Sequence, residues 1–393
     1  MSTPATPNPS QQISVGVVGF GWMGRVHAQA YARLPHHFPV AGLVPVLAAV
    51  ADEVPGRAQE AAAQFGFTDA YQDWRAMVAD SRIQAVSITA PNFLHREIGV
   101  AAAQAGKHIW IEKPVGLAVE DVVAVADAVR AAAVQVSVGY NYRNAPAVAL
   151  ARQLITDGEL GRITHARFRF FSDYAAHPDG ALSWRFDRRR GGSGVLGDLA
   201  SHGADLVRFL LGEIASLVAD TAVFIPQRPR PMGATSGHTR SAGGERGAVE
   251  NEDFVSALTR LESGARCTLE ASRVAVGEQN NYGFEIHGTS GALFWDFRRM
   301  GELGTSLGTD YQDQAVTTRY VGPGAGLYDA FQPGAANAMG YDDLKVIEAH
   351  HFLASIEHGA AQGATLTDAL RSAQILAAIA ASVDKGTWVD VAQ

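Results

Sequence analysis

The chain has 393 residues, 47% of them hydrophobic and 18% charged, enough for a large core and too long for one ordinary domain. A formal net charge of -8 and a pI near 5.9 give no electrostatic footprint for nucleic acid or an anionic membrane, so the expected partners are small molecules and other protein chains. A single cysteine, Cys267, excludes an internal disulfide and suits a reducing compartment.

Residues 1–12, "MSTPATPNPSQQ", read as a disordered tail without an export signal, and no apolar stretch reads as long enough to span a bilayer, so a cytoplasmic location is expected. From Ile13 short apolar runs alternate with Ala-rich helical patterns, the rhythm of a parallel sheet with crossover helices. "ISVGVVGF" predicts the first strand, "GRVHAQAYARL" a helix, "VLAAVAD" the second strand and "GRAQEAAAQFG" a helix closed by Gly66. "AVSITA", "HIWI" and "QVSVGY" predict further strands, with "HREIGVAAAQAG" and "VEDVVAVADAVRAAA" as helices between them. "PHHFPVAGLVPV" reads as a proline-bearing loop inserted before the second strand. Residues 1–140 are thus expected to form an α/β nucleotide-binding domain on a doubly wound parallel sheet.

After Tyr140 the rhythm changes. A helix, "PAVALARQLITDG", precedes long alternating runs, "RITHARFRFFSDY", "DFVSALTRLESGARCTLEASRV" and "YGFEIHGTSGALFWDF", whose tight Ser-Gly turns predict a large, open, mainly antiparallel sheet. Residues 141–393 are expected to be an α+β domain for substrate binding and oligomerisation, with the aromatic sheet runs seeking a partner. The stretch from Pro226 to Gly247 has the composition of a mobile loop.

Between the first strand and helix, "GFGWMG" places Gly19 for a tight turn, Gly21 for close approach to a pyrophosphate and Gly24 for helix-strand packing. Phe20, Trp22 and Met23 complete the loop, and the helix N-terminus offers N–H groups to phosphate. Asp52 closes the second strand, 28 residues beyond Gly24 against about 20 in the usual pattern, and there a carboxylate accepts from ribose hydroxyls and repels a 2'-phosphate. NAD is therefore expected over NADP, although Arg57 stands nearby. Ala90, Pro91, Asn92 and His95 in "TAPNFLH", with Glu112 and Lys113 in "EKP", sit at other strand ends and should line the same cofactor rim.

Lys113, held between an acid and a rigid proline, is positioned to hydrogen-bond a reacting hydroxyl. In "GDLASH", Asp198 and His202 are four residues apart, on one face of a predicted helix. A cation, a carboxylate and an imidazole together suit proton removal from an alcohol. Asn141, Trp184 and Arg185 are further cofactor candidates; Tyr142, Arg143, Trp184 and Tyr341 are substrate candidates with Lys113, Asp198 and His202. No metal is assigned.

The ordered set "GFGWMG", Asp52, "APN", "EKP" and "GDLASH" resembles the glucose-fructose oxidoreductase, inositol dehydrogenase and rhizopine-catabolism (Gfo/Idh/MocA) family across residues 13–385. The resemblance implies a Rossmann domain followed by an open-sheet domain that builds dimers or tetramers, and it implies that Lys113, Asp198 and His202 are the catalytic set. "NYRNAPAVALA", "ALSWRF", "GSGVLGDLASH" and "GYDDLKVIEAHHF" look most like the levoglucosan dehydrogenase branch. That likeness implies an NAD-dependent dehydrogenase of a secondary ring hydroxyl, with inositol dehydrogenase or an NAD-dependent redox glycosidase as alternatives. Whether His202 or Lys113 is the base stays open.

Overall fold

A computed structural model describes residues 12–39, 42–231 and 244–392. The chain divides into two compact units, Met1–Gly116 with Glu120–Asn141 and Gly340–Ala369, and Leu117–Val119 with Tyr142–Met339 and Leu370–Gln393.

The first unit holds a six-stranded parallel sheet of β1 (Gln12–Val18), β2 (Val44–Ala51), β3 (Asp69–Tyr71), β4 (Ala85–Ile88), β5 (His108–Ile111) and β6 (Val136–Val138), in the order β3-β2-β1-β4-β5-β6. Helices α1 (Trp22–His37), α2 (Arg57–Phe65), α3 (Trp74–Ala79), α4 (Asn92–Gln104) and α5 (Val119–Ala132) alternate with the strands. The order reverses between β1 and β4, and a doubly wound sheet binds ligands at the carboxyl ends of strands beside such a reversal. Apolar runs without alternation are explained by burial on both faces: Val15, Val17, Val86, Ile88, Ile109 and Ile111 have no exposed surface.

Two details differ from expectation. The predicted insertion is shorter, because α1 continues through Pro35 to His37 and β2 already includes Pro45. β3 pairs with β2 only from Ala49 onward, so Pro45 lies where that side of β2 has no ladder partner in β3. β3 and α3, with three and six residues, are too short for periodicity to reveal.

The second unit is built on nine strands, β7 (Ile163–Phe171), β8 (Ile214–Ala222), β11 (Phe254–Leu261), β12 (Arg266–Ser272), β13 (Asn281–Gly288), β14 (Gly291–Asp296), β15 (Glu302–Leu307), β16 (Thr317–Tyr320) and β17 (Val389–Asp390), in the order β16-β15-β14-β13-β7-β12-β11-β8-β17. Among the described residues of this sheet, only the β7–β12 pairing is parallel. Helices α6 (Pro146–Thr156), α7 (Arg188–Gly191) and α8 (Ser201–Leu211) belong to this unit. Strand alternation corrects the expectation of an aromatic open face: Phe168, Phe170, Phe284 and Trp295 are buried, whereas His165, Arg167, Arg169 and Glu285 occupy alternate positions. Arg167 and Arg169 reach Glu285 at 3.6 and 3.5 Å, so that face is laced with charge.

The segment read as a mobile loop is partly paired, with β9 (Gln227–Pro229) and β10 (Arg246–Ala248) forming a short antiparallel ladder; its middle, like residues 1–11 of the predicted tail, lies outside the described residues, whereas Gln12 begins β1. Helix α9 (Tyr341–His358), which the sequence places in the second half, is counted in the first unit, where Asp343 pairs with Arg33 and His350 stacks on Phe38 at 4.0 Å. Helix α10 (Leu366–Lys385) has the length and a mean hydropathy of 1.2 that a membrane span needs, contrary to expectation. Its Ser372 donates to the Ser201 carbonyl at 3.3 Å and its Ser382 accepts from the Ala219 N–H at 3.0 Å, the bonding of a core helix.

Candidate active site

Local backbone geometry makes the glycine loop. Gly19 has φ +86°, and a Cβ there would lie 2.7 Å from the Ala90 Cα. A Cβ on Gly24 would stand 2.3 Å from the Gly19 carbonyl oxygen, so both glycines are required by the protein itself. Gly21 differs, since a Cβ there would meet nothing within 4 Å. Gly21 is also the N-cap of α1, which has no side-chain cap and no acid in its first turn. The first N–H groups of that helix therefore face an opening with a partial positive charge, which fits a pyrophosphate.

Two expected cofactor residues also brace this loop. The Phe20 ring is buried with Val17, Ala28, Val50 and Phe67, and its N–H donates to Asp52 Oδ2 at 2.7 Å. Asp52 also accepts from the Val54 N–H at 2.9 Å and stands 3.4 Å from Arg57. The carboxylate thus ties the end of β2 to the glycine turn at the position where ribose hydroxyls bind in this fold.

Across the strand-order reversal, Thr89 donates to the Gly19 carbonyl at 2.6 Å, packing the Ala90-Pro91-Asn92 turn against the glycine loop. His95 is fully enclosed. Its Nδ1 lies 2.7 Å from the Pro114 carbonyl oxygen and its Nε2 2.7 Å from that of Ala90. Burial lowers its pKa against the pull of those carbonyls, and a neutral ring donates to one of them at a time. His95 therefore cross-links the two rim segments, and burial keeps its ring from solvent. Lys113 follows β5 half-buried, with a cis peptide to Pro114.

Glu112 points inward, where His27 Nε2 donates at 2.9 Å and Lys345 Nζ at 2.5 Å. It is a buried ion-pair partner rather than a nucleotide ligand. Asn141 is 1% exposed, and its Nδ2 has no hydrogen-bond partner among the described residues, as a donor kept for a bound group would be. Tyr341, expected at the substrate, stands over the glycine loop: its ring stacks on Trp22 at 5.4 Å and its hydroxyl is 3.7 Å from Met23 Sδ. Trp22 remains 66% exposed, so this aromatic pair borders the opening.

In the second unit the Asp198–His202 spacing does not lie on one uniform α-helix. Asp198 is in a π turn, Leu196–Ala200, and His202 is in α8 just after it. Such wide turns concentrate at functional sites. Asp198 Oδ2 accepts from the Tyr174 hydroxyl at 2.5 Å, and Arg185 Nη1 stands 3.8 Å from Oδ1. Burial and the Asp198 charge hold the Tyr174 phenol well above its ordinary pKa, so it stays a donor. His202 is anchored by the Tyr282 hydroxyl, which donates to its carbonyl at 2.8 Å, and its ring meets Tyr142 edge-on at 4.8 Å.

Arg143 makes a buried fork with Asp205, with Nε at 2.7 Å from Oδ2, an engagement that points to bracing rather than to the expected substrate contact. Tyr142 packs among Phe170, Tyr282 and Phe297, so its ring is held beside His202. Trp184 and Arg185 share a short 3-10 turn, with the guanidinium 4.6 Å above the indole. The next residue, Phe186, lies between the Arg228 and Arg273 guanidiniums at 4.2 and 4.6 Å. Arg273 pairs with Asp253 at 2.8 Å, and Asn251 donates to the Arg185 carbonyl at 2.8 Å. Tyr174, Tyr282 and this arginine platform escaped the sequence reading, since their partners are remote in the chain.

Residues 13–140 match an oxidoreductase family with an NAD-binding Rossmann fold, and residues 148–294 match the GFO/IDH/MocA C-terminal domain. The chain is 40% identical to levoglucosan dehydrogenase of Pseudarthrobacter phenanthrenivorans over 386 residues, 98% of this chain and 99% of that protein. It is 31% identical to scyllo-inositol 2-dehydrogenase (NAD(+)) of Bacillus subtilis over 297 residues, 72% and 73% of the two chains. A solved levoglucosan dehydrogenase in complex with NADH and levoglucosan is similar at TM-score 0.91 and 39% identity, over 98% of this chain and 100% of that one. The chain belongs to the Gfo/Idh/MocA family of oxidoreductases, with an NAD-binding Rossmann domain.

Proposed function

We propose that the protein is an NAD-dependent dehydrogenase oxidising a secondary ring hydroxyl of a sugar or cyclic polyol, of the levoglucosan or glycoside 3-dehydrogenase kind. The reading rests above all on one chain carrying both the backbone cradle at Gly21 and the braced Asp198–His202 pair, at 40% identity to levoglucosan dehydrogenase.

Bound NAD+ supplies the hydride acceptor. The N–H groups at the start of α1 hold the pyrophosphate, Asp52 accepts from ribose hydroxyls, and Asn141 Nδ2 donates to the bound nucleotide. His202 takes the proton of the substrate hydroxyl, while Lys113 donates a hydrogen bond to the same oxygen and stabilises its developing negative charge. Asp198 orients His202 and favours its protonated form, and Tyr174 keeps that carboxylate in one rotamer. Trp184 and Arg185 form an aromatic and polar wall of the kind sugar sites use. The protein acts in the cytoplasm as a homodimer or homotetramer through the charge-laced sheet face, which light scattering would test.

A screen of levoglucosan, methyl glucosides and inositols with NAD+ and NADP+, following reduced-cofactor absorbance, is expected to give turnover with NAD+. Glycoside cleavage without net NADH would replace this reading with a redox glycosidase. In the same assay Lys113→Ala and His202→Ala should each lower kcat by about 10²–10⁴-fold.

A further inference from the structure

Beneath the strand end that carries Lys113 lies a closed cluster of buried charge within the first unit. Glu112 Oε1 receives both His27 Nε2 and Lys345 Nζ. Lys345 Nζ is also 3.1 Å from Glu348 Oε2, and Glu348 Oε1 accepts from Trp110 Nε1 at 2.8 Å. The His27 ring stacks on Trp110 at 3.5 Å. Lys345 and His27 have no exposed surface.

Hydrogen-bond accounting assigns the protons. A carboxylate only accepts, so His27 carries its hydrogen on Nε2, which leaves Nδ1 bare, and Nδ1 indeed has no partner among the described residues. Burial lowers the His27 pKa to about 4 against the pull of Glu112, keeping the ring neutral. Burial alone would lower the Lys345 pKa, but Glu112 and Glu348 outweigh it and keep the ammonium charged. One buried cation thus faces two carboxylates. Burial raises the Glu348 pKa to about 7 despite Lys345, whereas Lys345 and His27 hold Glu112 well below the carboxylate range against burial. Burial, and beside it the Glu348 charge, raise the pKa of Tyr31 on α1, so its phenol stays protonated. Glu112 packs against Gly139, where a Cβ would lie 2.7 Å from its Oε2.

We infer that Lys345 and Glu348 of α9 are positioning residues for the reaction: with His27 they lock Glu112 in place and so fix the orientation of the adjoining Lys113. The inference rests on Lys113 touching the reacting oxygen. A small displacement of such a group costs turnover without costing substrate binding, because its contact strengthens only in the transition state.

The test is Lys345→Met, assayed with NAD+ and whichever of levoglucosan, methyl glucoside or myo-inositol turns over fastest. Expected is a kcat lower by about 10–100-fold, with KM and the NADH Kd within about threefold of wild type. Should burial of the unpaired Glu112 prevent folding, the Glu112→Gln/Lys345→Met double variant, which removes both charges, is measured instead and should show the same kcat loss. A folded single or double variant with wild-type kcat overturns the inference, as does a loss confined to KM or NADH affinity. Lys113→Ala is run alongside. If it is inactive while Lys345→Met is fully active, only the positioning role falls; if it is fully active, the catalytic reading of Lys113 falls with it.

Discussion

The two units furnish their site residues by different physical means. In the first, the surface proposed for the nucleotide is mostly backbone, the N–H groups beginning at Gly21 with Asp52 beside them, while His95 and Glu112 turn inward as braces. In the second, the proposed groups are side chains, Asp198 and His202, and the braces are phenols from elsewhere in the chain, Tyr174 in the turn after β7 and Tyr282 on β13. A backbone site tolerates changes of side chain but not an added methyl group, whereas a side-chain site is sensitive to loss of a single hydroxyl.

That contrast can be sharpened by substitution. On NADH affinity the largest effect should come from Gly21→Ala, which meets no protein atom within 4 Å and so should leave Tm unchanged while raising the NADH Kd at least about tenfold, or 1.4 kcal/mol. Gly24→Ala is the control, because its Cβ strikes the Gly19 carbonyl oxygen and should cost about 1–3 kcal/mol of stability in a denaturant titration. Equal NADH affinity in Gly21→Ala and wild type would show that the opening does not hold the pyrophosphate. Next, Tyr174→Phe removes the donor on Asp198 and should reduce kcat about tenfold, roughly 1–2 kcal/mol, with NADH affinity unchanged in fluorescence titration. An unchanged kcat would make that hydrogen bond merely structural.

The smallest effect concerns Glu348. Its folded pKa, about 7, exceeds the ordinary value of 4.5, so the folded state binds the extra proton and this contribution to stability declines as pH rises from 4.5 through 7. His27 has the opposite sign, its folded value of about 4 lying below 6.5, so its contribution is present above pH 6.5 and is lost as pH falls toward 4. Glu348→Gln removes only the first dependence. Its Tm relative to wild type should therefore rise between pH 5 and 8, and a flat difference across that range would show that Glu348 does not bind the extra proton.

The same contrast explains what was readable in the sequence. Glycine turns, strand-end acids and the apolar runs of a doubly buried sheet are local signals, so the Rossmann half was legible almost element by element. The role of Glu112 was not, because its partner Lys345 lies 233 residues away and α9 buries Leu344, Lys345, Val346, Ile347, Glu348 and Ala349 in succession, without an amphipathic stripe. The Asp198–His202 pair was found through spacing, yet the π turn beneath it was invisible, since no residue in "VLGDLASH" distinguishes it from an α-helix. Tyr174 and Tyr282 read as strand aromatics; Tyr174 instead lies in the turn after β7, and both hydroxyls reach the Asp198–His202 segment. The supposed aromatic sheet surface failed for a simpler reason: alternation turns Phe168, Phe170 and Trp295 inward.

The central claim of the proposed function is that Lys113 and His202 act on a single hydroxyl. A double-mutant cycle of kcat for Lys113→Ala, His202→Ala and the combined variant measures this directly. Groups that serve one oxygen should be strongly non-additive, leaving the double variant within about threefold of the slower single one. A double variant slowed by the product of the two single effects, or a folded single variant as fast as wild type, would contradict it.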